Sequence, residues 1–320
     1  MKQAFLDRRG FLAQGTSRLA GAAILAVTSL QAAPDRDTVS PPKPKGFIDA
    51  HVHLWTRDFL KYPLAPGVNA ADMQPPAFLP SDILRHATPS GVTRIVLVQM
   101  SYYRTDNSYM LDVIRQSPKV FRGIAVVDPE SSQPDVQMRK LAREGVRGFR
   151  IYPPDGPSTQ WLTGEGFRRM FRCGAQHRLA LCLLVNPSDL GVVDRQCEKF
   201  PDTPVVIDHM ARIGRNGMFS ESDTNALCAL ARHPQVKVKV SAFYALGRHT
   251  PPHLDLAPLI KRLFDAFGPK RLMWASDCPF QVDHETYEDS ISLVRDRLDF
   301  LSDHDKRWML HGTAEESFFE

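Results

Sequence analysis

The chain is poor in the features that mark several broad protein classes. Its five cysteines (Cys173, Cys182, Cys197, Cys228 and Cys278) are odd in number, scattered and without a CxxC pair, so neither a zinc knuckle nor a disulfide framework is signalled. Cys182 and Cys278 lie in or beside apolar runs and read as packing residues. No stretch reaches the ~18–20 unbroken apolar residues of a membrane span, which argues against a stable spanning helix. No cluster of Lys and Arg is interleaved with aromatics, so a nucleic-acid surface is not expected. No glycine-rich turn follows an early strand, as a dinucleotide-binding open sheet would require. Excess charge is also scarce. Of the formal +4, the first 33 residues carry +3 through Lys2, Arg8, Arg9 and Arg18 against Asp7, leaving about +1 for the rest.

What is present is an ordinary globular composition: 320 residues, 43% hydrophobic and 24% charged. The N-terminus is set apart. Asp7-Arg8-Arg9-Gly10-Phe11-Leu12 precedes a moderately apolar run over 19–27, and small residues follow at Ala32-Ala33. Residues 1–33 resemble a twin-arginine export signal, which implies the export machinery as a partner and a periplasmic location for the mature protein. Residues 34–45, with Pro41-Pro42-Lys43-Pro44, read as an extended linker.

From residue 46 to 320, short apolar runs alternate with amphipathic stretches. The strand candidates are 47–50, 94–98, 121–127, 148–152, 180–185, 204–207, 236–240 and 271–275. Helical patterns fall over 111–116, 136–144, 166–177, 189–200, 223–232 and 256–267. The apolar runs are continuous rather than alternating, as expected of parallel strands covered by helices on one side and a packed interior on the other. Eight strand–helix units over this length predict a single-domain α/β fold, a (β/α)8 TIM barrel.

In such a barrel the chemistry sits at the C-terminal ends of the strands. The first run ends in Asp49-Ala50-His51-Val52-His53. Residues two apart on a strand share a side, so His51 and His53 project together and suit a divalent metal or a polarised oxygen. The second run is followed by Ser101, Tyr102, Tyr103 and Arg104. The fourth offers Arg150 and Tyr152, and the fifth Asn186. The sixth delivers Asp208, His209 and Arg212, the seventh Lys239 and Tyr244, and the eighth Asp277. Strand alternation would turn Asp208 away from His209, making it an orienting residue. Arg150 and Arg212 are candidate forks for a substrate carboxylate. Tyr103, Tyr152 and Ser101 are candidate partners of substrate oxygens, as is Tyr244. Each of these tyrosines has a packing role as its alternative.

The segments IDAHVHLW, RGIAVVDP, GVRGFRIY, VVIDHM, VKVKVSAFY and LMWASDCPF, in that order, resemble the amidohydrolase superfamily. They are most similar to its second family of barrel-fold hydrolases, which includes dicarboxylate and sugar lactonases and related decarboxylases. The resemblance spans about 46 to 320, and its closing helix pattern has Thr313 where Asn is usual. It implies that His51, His53, His209 and Asp277 surround the reacting centre. The fifth strand departs from the pattern, since 181–186 holds no histidine.

Under this resemblance Asp277 acts as general base and then acid. The histidines polarise the carbonyl, either directly or through a metal held by His51, His53 and Asp277. Asn186, water or His209 are available to complete such a metal's shell. The expected cofactor is none or one divalent ion, Zn or Mn, with the metal-free site preferred. The implied activity is opening of a lactone of a small hydroxy or dicarboxylic acid. The alternatives are a metal-dependent decarboxylase of an aromatic or unsaturated acid and a non-catalytic periplasmic binding barrel.

Overall fold

The computed structural model describes residues 46–153 and 161–320; the segments read as export signal and linker lie outside these. Eight parallel strands run in chain order: β1 (Phe47–Val52), β2 (Val92–Val98), β3 (Phe121–Ala125), β4 (Val146–Ile151), β5 (Ala180–Leu183), β6 (Val205–Ile207), β7 (Val236–Ser241) and β8 (Leu272–Ala275). β1 and β8 meet through a parallel bridge between Val52 and Cys278. His53 N–H donates to the Cys278 carbonyl at 2.8 Å, and Asp277 N–H donates to the His51 carbonyl at 3.0 Å. The sheet is thus a barrel, as the spacing predicts.

Helices separate the strands, among them α1 (Pro80–Ala87), α2 (Ser108–Gln116), α3 (Pro134–Arg143), α4 (Glu165–His177), α5 (Leu190–Lys199), α6 (Glu221–Ala229) and α7 (Ala257–Phe267). Each turns an apolar stripe onto the outer face of the sheet, forming one large core. A second core fills the barrel: Ile48, Ala50, Val96, Val98, Ile124, Cys182, Val206, Met273 and Ala275. Phe318, from a short closing helix (Thr313–Phe318), joins this inner core and is fully buried. Its neighbour Phe319 lies under the guanidiniums of Arg94 and Arg122, 4.7 and 5.2 Å from the ring. This end of the barrel is closed by packing, which leaves the opposite rim for chemistry.

Two departures from regular strand geometry shape that rim. In β1, Asp49 pairs with Ile95 but Val52 with Leu97, so three steps on β1 match two on β2. This is a β-bulge, which makes two consecutive residues face the same way. Ala50 belongs to the barrel interior, and His51 follows it inward instead of joining Asp49 on the outer face. After β6 the backbone turns left-handed at His209, Met210, Ala211 and Arg212. Here too a local turn, and not strand alternation, aims the side chains.

Candidate active site

The rim gathers residues from β1, β4, β6, β7 and β8. His51 Nε2 and His53 Nε2 lie 3.1 Å apart. Asp277 Oδ1 is 3.5 Å from each of them and 3.9 Å from His209 Nε2. Asp277 sits two residues beyond the end of β8 with φ of 67°, a left-handed conformation that folds its carboxylate back over the barrel. His209 is held by Ser241 of β7, whose hydroxyl is 2.9 Å from Nδ1. The hydroxyl of Tyr244 donates to Asp277 Oδ2 at 2.8 Å. The Tyr244 ring stacks on His284, with centroids 5.3 Å apart and planes 8° from parallel.

Beneath this set is a buried charge network. Asp208 Oδ1 lies 3.0 Å from Lys239 Nζ and 3.6 Å from His51 Nδ1, and its Oδ2 lies 4.0 Å from Arg150 Nε. Lys239 Nζ is 3.1 Å from His51 Nδ1, and Arg150 Nη1 is 2.9 Å from His51 Nε2. His51, Asp208 and Lys239 are all fully buried.

These contacts set protonation. Burial pushes all three imidazoles below the usual histidine range, with Lys239 adding to the effect at His51 and His209 reaching about 4. They are neutral at pH 7. His53 Nδ1 faces the Val98 carbonyl at 2.8 Å, and a carbonyl only accepts, so Nδ1 carries the proton and Nε2 presents a bare lone pair. Burial acts to raise Asp277, but the surrounding imidazoles of His209, His53 and His51 outweigh it and hold the carboxyl well below the usual range.

The structure brings His51, His53, His209 and Asp277 together as expected. It gives several other candidates partners within the protein. Arg150, read as a fork for a substrate carboxylate, is directed onto His51 within the reacting centre. His53 in its neutral form is an acceptor at Nε2, so it does not itself polarise a carbonyl by donation. The Tyr103 hydroxyl accepts from Thr56 N–H at 3.0 Å, and its ring meets Tyr109, the packing alternative named for it. Ser101 contributes a backbone carbonyl to the turn that reaches Arg104. Tyr152 stands at the mouth, 43% exposed. Arg212 donates to the Val185 carbonyl at 3.3 Å, and burial with Arg215 nearby lowers its pKa to about 10. Asp208 faces inward beside His209 rather than away from it.

Asp49 was not a sequence candidate. It is fully buried and accepts at four points: the N–H groups of His51 and Ser276 at Oδ1, and the hydroxyls of Ser276 and Tyr287 at Oδ2. It ties the β1 bulge to the segment carrying Asp277. Its motif position, two residues before His51, was the available signal, but a partner in Ser276 could not be read locally.

His51, His53 and Asp277 place ligand atoms within 4.8 Å of one another, and their types suit a zinc or manganese ion. Two cationic side chains flank the His51 ring, with Arg150 Nη1 at 2.9 Å from His51 Nε2 and Lys239 Nζ at 3.1 Å from His51 Nδ1; a neutral imidazole has one lone pair and accepts from only one of them.

A family model described as amidohydrolase matches residues 48–319. The chain is 30% identical over 236 residues to an L-fucono-1,5-lactonase of Burkholderia ambifaria, covering 72% of this chain and 80% of that protein. It is 25% identical over 273 residues to a 4-sulfomuconolactone hydrolase of Hydrogenophaga intermedia, covering 82% and 85%. Among solved structures, an amidohydrolase from Burkholderia multivorans with bound zinc shares the fold, with a TM-score of 0.72 at 21% identity, covering 86% of this chain and 99% of that one.

Proposed function

Because this chain belongs to the amidohydrolase family, we propose that it is a hydrolase that opens a lactone of a small hydroxy or dicarboxylic acid. The observation that carries this reading is one ionised carboxylate, Asp277, aimed at a centre that also holds a guanidinium donor. The relatives named as lactone hydrolases support it.

In the proposed mechanism a water is held at Asp277 Oδ1 and attacks the lactone carbonyl carbon. Asp277 takes one proton as the C–O bond forms and later returns it to the ring oxygen as that bond breaks, giving the open hydroxy acid. A carboxylate with a strongly lowered pKa stays ionised but is a weak base, so the carbonyl must be activated from the other side. Arg150 is the buried donor placed to do this, stabilising the tetrahedral oxyanion. The neutral imidazoles of His51, His53 and His209 position Arg150 and Asp277. Arg212 and Tyr152, at the mouth, contact the substrate's acidic or hydroxylated substituent.

The test is a panel of sugar lactones, muconolactones and pyrone dicarboxylates, with acid release followed in weakly buffered solution. At least one is opened by the wild-type protein, and Asp277→Asn lowers that turnover by at least ~10²-fold. Undiminished turnover in the variant, or no turnover of any lactone, overturns the assignment.

We also propose that residues 1–33 direct twin-arginine export and that the enzyme works in the periplasm. The support is Arg8-Arg9 followed by a moderately apolar stretch and small residues.

A further inference from the structure

We propose that the barrel carries a second binding site, at the end opposite the reacting centre, for a small organic dianion such as a phosphate monoester or a dicarboxylate. This site is independent of the lactone-opening reading.

A cavity of about 480 Å³ opens beside the closing helix. Arg147 and Lys237, each the second residue of its strand (β4 and β7), line it together with Ala180 at the start of β5 and Pro204 just before β6. It therefore lies at the N-terminal ends of the strands, away from Asp277. Its volume falls within the ~300–1,000 Å³ of small-molecule sites. Leu179, Ala180, Pro204 and Val206 supply apolar lining.

The charged lining is mostly of one sign. Arg139 and Arg143 come from α3, Arg147 from β4, Arg178 from the residue after α4 and Lys237 from β7. Among the described residues only Arg139 of these five pairs with a carboxylate, that of Asp135 at 2.8 Å. Arg143 and Arg178 have no hydrogen bond or ion pair to any described residue. Arg147 is anchored through Nη1, which donates to the Ala142 and Val146 carbonyls at 2.9 and 3.0 Å; its other guanidinium N–H groups remain for a ligand. Lys237 Nζ donates to Ser317 Oγ at 2.8 Å, and the Ser317 proton goes to the Thr313 carbonyl. An ammonium has three N–H groups, so two are left over. Burial lowers the Lys237 pKa, with Arg178 adding to the effect and Glu316 opposing it. The two acidic side chains of the lining, Glu316 and Glu320, are exposed and form no ion pair with the four remaining cations among the described residues.

Cations gathered in a concavity with low-dielectric walls focus a positive potential into it. A dianion neutralises what the chain leaves unpaired, and guanidinium and ammonium groups are the donors that match phosphate and carboxylate oxygens. The apolar lining suits an organic body rather than a bare ion, and the volume suits one small molecule rather than a polymer.

The experiment is titration calorimetry of the purified protein at low salt with phenyl phosphate, isophthalate and inorganic phosphate. Phenyl phosphate or isophthalate binds at one per chain, more tightly than inorganic phosphate. Arg143→Gln combined with Arg178→Gln, both at exposed positions, weakens that binding at least ~10-fold. Arg212→Gln, at the opposite rim, changes it by less than ~2-fold. Binding of neither organic anion overturns the proposal, as does inorganic phosphate binding as tightly as both. Binding that survives the double substitution, or that is lost in Arg212→Gln, also overturns it, because the anion then sits at the catalytic rim. Should the double variant fail to fold, Lys237→Gln is read by the same criteria. A protein that opens lactones but binds no anion refutes only this inference, and one that binds the anion but opens no lactone refutes only the function.

Discussion

The hydroxyl of Tyr244 donates to Asp277 Oδ2 at 2.8 Å, leaving Oδ1 to face the three imidazoles. The two carboxylate oxygens therefore have separate tasks, one anchored and one free for the attacking water. A hydrogen bond to a charged group contributes ~1.5–3 kcal/mol. Tyr244→Phe is expected to lower kcat by ~10-fold or more while changing KM by less than ~3-fold. Steady-state kinetics on the best lactone measures this; an unchanged kcat would show that Asp277 needs no anchor.

Asp49 accepts from His51, Ser276 and Tyr287 in a fully buried position. Asp49→Asn keeps the shape but turns an amide N–H₂ toward donors, leaving buried groups unpaired. A loss of about 3 kcal/mol in unfolding free energy is expected, read from urea denaturation, together with reduced kcat. Wild-type stability in the variant would contradict the bracing role.

Acid should weaken the fold before it protonates Asp277. Between the usual histidine value of 6.5 and about 4, the unfolded chain binds a proton at position 209 that the folded chain refuses, so stability rises with pH across that window. His51 and His53 act in the same direction. Asp49 opposes them, because burial lifts its carboxyl from 3.8 to about 6 and the folded state then binds the extra proton. Three groups against one give a net loss on acidification, with His209 alone contributing on the order of 3 kcal/mol. Thermal unfolding followed from pH 7 to pH 5 should show a falling Tm; a flat or rising Tm would refute buried neutral imidazoles.

Replacing Arg8 and Arg9 with Lys should leave the protein in the cytoplasm, as a receptor-read twin-arginine signal requires. Fractionation and immunoblotting check it. Periplasmic protein from the variant would point to another export route.

Much of the architecture was legible because it follows from local pattern. Continuous apolar runs such as 94–98 and 236–240 mark strands buried on both faces, and their number and spacing give the barrel. His51, His53, His209 and Asp277 were legible because strand ends in a barrel share one rim. The role of Tyr103 stays open in the sequence, since a tyrosine beyond a strand end looks the same whether its hydroxyl meets a substrate or, as here, the backbone of Thr56.

The sequence by itself determined the eightfold repeat, the rim and the fact that His51 and His53 share a side, since period-two alternation is a property of neighbouring residues. Which side they share was decided by tertiary structure. The bulge beside β2 and the hold of Asp49 on Ser276, 227 positions away, turn His51 into the barrel. The left-handed turn after β6 brings Asp208 in with His209, and the register of β4 lays Arg150 against His51. These are pairings between distant segments, and their energies depend on what each side chain meets across the barrel. Which cationic side chains face His51 is therefore a property of the closed barrel and of no single motif.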